Sequence, residues 1–254
     1  MTYPAFQPDT VFITGVTGGF GSAMAQKFAA MGCTLVLHAR NKDKLDALIA
    51  TLDEKKVIPV VFDMSDLAAM KSACAGLPAV DVLVNNAGLA LGLDPAQKAD
   101  VADWDEMIDT NIRALVHLTR LILPGMVECN RGHIINIGSV AGNWPYANGN
   151  VYGATKAFVR QFSLNLRSDL HGTHVRVTNI EPGLAETNFS IARFKGDTEK
   201  AAKVYEGTTP LNGDDIAESV AWVATLPAHV NINSLEIMPT CQSFGGMQVY
   251  REQT

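Results

Sequence analysis

Nowhere in this 254-residue chain does an apolar run approach the roughly 20 residues that cross a bilayer. The opening stretch, MTYPAFQPDT, has neither a basic n-region nor an apolar h-region, so no secretory leader is expected. Cysteine is scarce. Cys33, Cys74, Cys129 and Cys241 lie far apart, and no Cys-x-x-Cys occurs. That argues against a disulfide scaffold and for reduced thiols, so a cytoplasmic location is expected. Basic residues are outnumbered 20 to 26, giving a net charge of −6. An acidic chain gains no electrostatic help on nucleic acid or an anionic membrane, and neither is expected as a partner. Six histidines are scattered. Only HGTH, at 171–174, has near-ligand spacing. No cysteine or acidic cluster joins it, so it reads as a helix end and loop, and no metal is expected. Linkers, repeats and low-complexity stretches are also missing.

What is present is an apolar chain, 47% hydrophobic and 18% charged, long enough for a large core. Short apolar runs read as strands at 10–14, 34–38, 57–62, 81–85, 133–138, 174–180 and 234–238. Helical patterns lie between most of them, near 20–31, 42–53, 66–75, 103–126, 151–171 and 213–226. Near-continuous apolar strands flanked by helices imply a parallel sheet covered on both faces. The expected architecture is α/β, a doubly wound parallel sheet of about seven strands. One stretch, about 183–210, is polar, charged and too long for an ordinary loop. It is expected to be a substrate-binding lid.

Directly after the first strand comes TGVTGGFGSAMAQKF, with Gly15, Gly19 and Gly21 spaced T-G-x-x-x-G-x-G. Glycines here allow a tight turn and let backbone N–H groups approach a pyrophosphate, which the following helix N-terminus also attracts. Thr17 and Phe20 lie within the turn and count as candidate cofactor contacts. The second strand ends LHARNKDKL, with Ala39 where a free ribose 2′-hydroxyl would want an acidic residue. Arg40 follows, and a guanidinium suits a 2′-phosphate, which favours NADP over NAD. Gly18 replaces a basic residue that would have strengthened that inference. Asn41, beside Arg40, is a further candidate contact. Asp63 is placed to hydrogen-bond an adenine amine. Arg40 also reads as a solvated helix-start residue and Asp63 as a helix N-cap.

Tyr152 and Lys156, in YGATK, share one helix face. A free phenol titrates near 10 and is a poor base at neutral pH. A nearby ammonium favours the phenolate, so Tyr152 is expected to act as base in oxidation and acid in reduction. Such a pair also arises by chance. Here it follows NNAG at 85–88, DTNI at 109–112 and NIGS at 136–139. In this order, behind a Gly-rich turn, these motifs resemble the short-chain dehydrogenase/reductase family along essentially the whole chain. The resemblance implies a single Rossmann-like domain and nicotinamide-dependent interconversion of an alcohol and a carbonyl. It implies a catalytic set of Asn111, Ser139, Tyr152 and Lys156. Lys156 would hold the nicotinamide ribose, Ser139 the substrate oxygen, and Asn111 a water in a proton path. Asn86 would lie near the ribose, and Pro182, Gly183 and Thr187 near the nicotinamide and a phosphate. Read without the family, Ser139 is a strand-end turn residue and Asn111 a buried, satisfied amide. Family members are often homotetramers, with the helices near 103–126 and 151–171 between subunits and the last strand and tail at another interface.

Longer stretches, including GHIINIGSVAGNWPYANGNVYGATKAFVRQF, VRVTNIEPGL and RFKGD, resemble the bacterial NADP-dependent 3-hydroxy acid dehydrogenases. That implies small substrates bearing a carboxylate, such as serine, L-allo-threonine or 3-hydroxypropionate. Arg193 and, less so, Lys195 in the lid are candidates to clamp the carboxylate. Trp144 could wall a small pocket, or belong to the core or an interface. Two alternatives stand: reduction of an uncharged carbonyl or 3-oxoacyl compound, and a non-catalytic NADP-binding sensor. The residues before the first strand have no role that the sequence reveals.

Overall fold

The computed structural model describes residues 3–53 and 56–244. Seven strands form one all-parallel sheet: β1 (Thr10–Thr14), β2 (Thr34–Ala39), β3 (Val57–Val61), β4 (Val82–Asn85), β5 (Gly132–Ile137), β6 (Val175–Pro182) and β7 (Ser234–Ile237). Their order is β3-β2-β1-β4-β5-β6-β7. Every residue of β1, β4, β5 and β6 is buried, because both sheet faces are covered. On one face lie α1 (Gly19–Ala30), α2 (Lys42–Ile49) and α9 (Gly213–Thr225), which pack Met24, Phe28, Leu45 and Val220 against Val11, Ile13 and Leu35. On the other lie α3 (Leu67–Cys74), α5 (Leu115–Glu128) and α6 (Asn150–Asp169), whose Met70, Leu118 and Leu166 meet Phe12, Val36 and Leu83. Each fully buried apolar side chain of this kind contributes roughly 1.5–3 kcal/mol.

The second face also carries a polar seam. Asn85, Asn136 and Asn179 are register partners on β4, β5 and β6. Asn85 Nδ2 donates to Asn136 Oδ1 (2.8 Å) and to Thr119 Oγ1 of α5 (3.0 Å). Asn136 Nδ2 donates to Ser163 Oγ of α6 (2.8 Å). These buried bonds, made where the alternative is an unpaired polar group, fix both helices to the sheet just below its C-terminal edge.

Three local features differ from the sequence pattern. The helix expected over 103–126 begins as α4 (Val101–Ile108) and continues as α5, with a π-helical turn at Asp109–Ala114 between them. Helical periodicity alone does not reveal such a bulge, which often marks a functional site. The polar stretch 183–210 is not one loop, since it contains α7 (Phe189–Arg193) and α8 (Thr198–Lys203). β6 runs on through Pro182, so the chain turns only at Gly183, whose N–H donates to Ile237 O (2.7 Å).

The residues before β1 have a structural role at the end of the sheet opposite the strand C-termini. Phe6 is buried between the guanidinium groups of Arg131 (4.2 Å to the ring centroid) and Arg176 (4.9 Å). Arg131 Nε donates to Asp81 (2.7 Å), and Arg176 caps the end of α9 through Val223 O (3.0 Å) and Ala224 O (2.7 Å).

His38, at the end of β2, ties the sheet to the glycine turn. Its Nδ1 accepts from the Gly15 N–H (3.3 Å), which leaves Nε2 to donate to Phe62 O (3.0 Å). Burial pushes its pKa down to about 4 from 6.5. The unfolded chain therefore binds this proton first as pH falls. The stability from neutral His38 is complete above pH 6.5 and is lost towards pH 4, by up to about 3 kcal/mol. Chemical denaturation between pH 7 and pH 4 should show a shallower acid loss in His38→Asn than in the wild type. Some slope should remain from His133, which burial also holds neutral. Identical slopes would place the acid sensitivity elsewhere.

Candidate active site

At the C-terminal ends of β1 and β4 the chain departs to opposite faces of the sheet, which opens a crevice. A cleft of about 390 Å³ lies there. Gly15, at φ +69°, starts the turn, and a Cβ on it would lie 2.9 Å from Ala87 Cα. A Cβ on Gly21 would lie 2.4 Å from Gly15 O, so helix and turn meet only because both are glycine. α1 starts after Gly18 with no side-chain cap, so its first N–H groups remain free for an anion. Thr17, Gly19 and Phe20 line the same wall. Asn86 lines it too, and its Nδ2 donates to Thr14 O (2.8 Å) and Gly15 O (3.2 Å), holding the turn against β4. Across the cleft Thr187 packs over Gly19, while its Oγ1 accepts from the Phe189 N–H (3.2 Å).

Ala39, Arg40, Asp63 and Met64 line one end of the cleft. Asp63 Oδ1 accepts from Ser65 N–H (2.8 Å) and Ser65 Oγ–H (2.7 Å). Those bonds hold its carboxyl below the usual range, with the Arg40 charge adding to them. Asp63 is not the cap of α3, because Asp66 takes that position. Asn41 does not line the cleft. It is the N-cap of α2, with its side-chain oxygen accepting from the Lys44 N–H (2.9 Å). That correction follows from helix-start chemistry, which asparagine serves as readily as ligand contact.

Ser139, Tyr152, Lys156, Pro182 and Gly183 line the other end. Tyr152 and Lys156 come from consecutive turns of α6, and Ser139 follows β5 directly. Lys156 is buried and its Nζ donates to Ile137 O (2.8 Å). Burial lowers its pKa to about 8. Tyr152 moves the opposite way. Burial raises its phenol to about 12, opposed by a hydrogen bond with Ser139 and by the Arg193 charge. The expected help from Lys156 is not among these causes; its Nζ lies 5.8 Å from the ring centroid. Burial among the protein's own groups thus favours the neutral phenol. Asn111 sits in the π turn just behind. Its Oδ1 accepts from Leu89 N–H (2.9 Å), and its Nδ2 donates to Leu89 O (2.8 Å) and Thr155 Oγ1 (3.1 Å). Its oxygen keeps a second lone pair, towards Gly88 and Lys156.

The Ser139 loop is held from below. Ser139 Oγ accepts from Ala141 N–H (3.1 Å). Asn143 Nδ2 donates to both Glu181 Oε2 (3.0 Å) and Glu236 Oε2 (3.1 Å), which are register partners on β6 and β7. Glu181 is only 2% exposed, and burial raises its pKa. Trp144 does not wall the pocket. It is 45% exposed, donates Nε1–H to Glu236 (2.8 Å) and packs against Phe244 with the two rings tilted at 52°.

Arg193 is not among the cleft-lining residues, but its guanidinium carbon lies 5.5 Å from the ring centroid of Tyr152, which is. Its Nη2 donates to Tyr146 Oη (2.6 Å), and its Nε is buried with no partner among the described residues. Lys195 is engaged elsewhere, paired with Asp103 at 2.9 Å, which leaves Arg193 as the lid cation beside the phenol. His38 and Tyr146 were missed from the sequence. Neither belongs to a motif, and both act through contacts far along the chain.

Comparison with known proteins agrees with this geometry. Residues 9–198 match the family model described as short chain dehydrogenase. The chain is 61% identical over 246 residues to the NADP-dependent 3-hydroxy acid dehydrogenase YdfG of Salmonella typhi, covering 95% of this chain and 99% of that protein. It is 51% identical over 247 residues to a serine 3-dehydrogenase of Rhizobium radiobacter, covering 96% and 98%. The closed form of a serine dehydrogenase complexed with NADP+ superposes with a TM-score of 0.94 at 55% identity, covering 96% of this chain and all of that one. With a glycine turn and a Ser-Tyr-Lys constellation facing each other across one cleft, and with relatives of this closeness over nearly its whole length, the chain belongs to the short-chain dehydrogenase family.

Proposed function

We propose that this protein is an NADP-dependent oxidoreductase that interconverts small 3-hydroxy acids and the matching 3-oxo acids or semialdehydes. The observation that carries the acid reading is Arg193, poised over Tyr152 with a buried, unpartnered Nε. A guanidinium beside the Tyr152 ring has the planar geometry to take a carboxylate as a bidentate fork. The relatives named as 3-hydroxy acid and serine dehydrogenases support the same class. The cleft residues fit NADP: an uncapped α1 N-terminus for the pyrophosphate, and Arg40 in place of an acidic residue for a 2′-phosphate.

Bound NADP supplies the hydride acceptor in oxidation and the donor in reduction. Tyr152 transfers the proton at the substrate oxygen, as acid in reduction and as base in oxidation. Ser139, a neighbour that lowers the phenol's pKa, holds that oxygen. Lys156, fixed by Ile137 O, points its charge at the cleft to hold the ribose. Pro182, Gly183 and Thr187 bound the nicotinamide side. Asn111 offers its spare lone pair to a water leading from Lys156. In solution the protein assembles as a homotetramer through α4, α5 and α6, where Ile108, Leu121, Val127 and Phe158 stand exposed. The tail expected at another interface lies mostly outside the described residues. A cytoplasmic location agrees with four free cysteines. Among the described residues no helix is long and apolar enough to cross a membrane.

A serine, L-allo-threonine and 3-hydroxypropionate panel should turn over with NADP and outrun the corresponding decarboxylated alcohols, read by nicotinamide absorbance. Equal or faster turnover of the alcohols would sink the acid assignment and favour an uncharged carbonyl. Tyr152→Phe should lower turnover by about 10²–10⁴-fold while reduced-cofactor fluorescence still reports binding. Retained turnover would remove the phenol from the chemistry; a wild-type protein with no turnover at all would favour the sensor. Arg40→Ala should cut the NADP-to-NAD preference in kcat/KM by about tenfold or more, and an unchanged preference would place 2′-phosphate recognition elsewhere.

A further inference from the structure

Tyr146 belongs to none of the motifs, yet it holds the lid arginine. Its hydroxyl accepts from Arg193 Nη2 (2.6 Å), and the guanidinium carbon stands 5.5 Å from both the Tyr146 and the Tyr152 ring centroids. The ring is itself fixed. A Cβ on Gly149 would lie 2.4 Å from Tyr146 Cζ, so the ring rests on bare backbone at the entry to α6. On its other side the arginine is held through the main chain, where Gly92 N–H donates to Arg193 O (3.1 Å). Lys195 to Asp103 fastens the following residues to α4. A long, flexible side chain is thus pinned at its backbone and at its tip, with Nε left free in the interior.

We propose that Tyr146 is a positioning residue for substrate selection: by fixing the Arg193 guanidinium at one distance from Tyr152, it sets how far the carboxylate stands from the reacting hydroxyl. This rests on the carboxylate-fork reading of Arg193. A guanidinium held at one spacing favours a carboxylate two carbons from the carbinol oxygen's carbon and disfavours one a methylene further away. An arginine released from its tyrosine keeps its charge but accommodates both lengths. Tyr146 is 40% exposed, so removing its hydroxyl alone leaves the packing of the ring in place.

The test compares kcat/KM for 3-hydroxypropionate and 4-hydroxybutyrate in the wild type, Tyr146→Phe and Arg193→Gln. Effects on the phenol's own proton affinity are common to both acids and cancel in the ratio. Tyr146→Phe should lower the short-to-long preference about tenfold, as expected for one lost hydrogen bond to a charged group. Arg193→Gln should lower kcat/KM for both acids relative to ethanol, the decarboxylated counterpart of 3-hydroxypropionate. An unchanged length preference in Tyr146→Phe, with acid turnover lost in Arg193→Gln, would overturn the role of Tyr146 and leave the fork standing. If Arg193→Gln handles acids as the wild type does, both ideas fall.

Discussion

Two neighbouring parallel strands, β1 and β4, end at the same level and must send their chains to opposite faces, and everything functional depends on how that parting is held. Thr14 Oγ1 accepts from the N–H groups of Asn86 (3.0 Å) and Ala87 (2.9 Å). Asn86 answers through its side chain to the carbonyls of Thr14 and Gly15. Four hydrogen bonds therefore close the fork between the strands. Gly15 then clears Ala87, Gly21 clears Gly15, and α1 starts with its N–H groups aimed into the opening. His38 supports the turn from β2. The phosphate end of the cleft is thus a consequence of sheet topology, made rigid by side chains on three strands.

At the other end one physical term dominates both reactive groups. Burial favours the neutral form, so it lifts the phenol of Tyr152 and lowers the ammonium of Lys156. Their values, about 12 and about 8, move apart and reverse their usual order. Seen only as neighbours on a helix, the lysine would be expected to draw the phenol down. In three dimensions its Nζ turns to Ile137 O, and the cation that acts on the phenol comes from the lid.

Much of this was legible in the chain. All seven expected strands and all six expected helical stretches are present, the stretch 103–126 as α4 and α5 with a π turn between them, because a sheet buried on both faces leaves an unambiguous signature. The glycine turn, Ser139, Tyr152 and Lys156 carried their own motifs. What stayed hidden depends on direction rather than spacing. Asn41 and Trp144 sit beside site residues but point away from the cleft, one into a helix cap and the other towards Glu236. The π turn around Asn111 joins α4 to α5 without a break in the helical backbone, so no turn signal marks it in the sequence. Phe6 reads as part of a featureless leader until two arginines, 125 and 170 positions further on, close over it.

On the proposed carboxylate fork, Arg193 would link recognition to proton transfer. Its charge is one of the two influences that pull the Tyr152 phenol down against burial. A substrate carboxylate paired with the guanidinium offsets that charge, and the phenol then holds its proton more firmly. For a 3-oxo acid this keeps the phenol protonated but makes it a weaker proton donor to the carbonyl oxygen. For a 3-hydroxy acid it opposes the phenolate that must accept a proton, and the positive oxidised cofactor has to supply the compensation. The contact proposed to select an acid would thus favour the neutral phenol in either direction, while the ratio of oxidised to reduced cofactor sets the net direction.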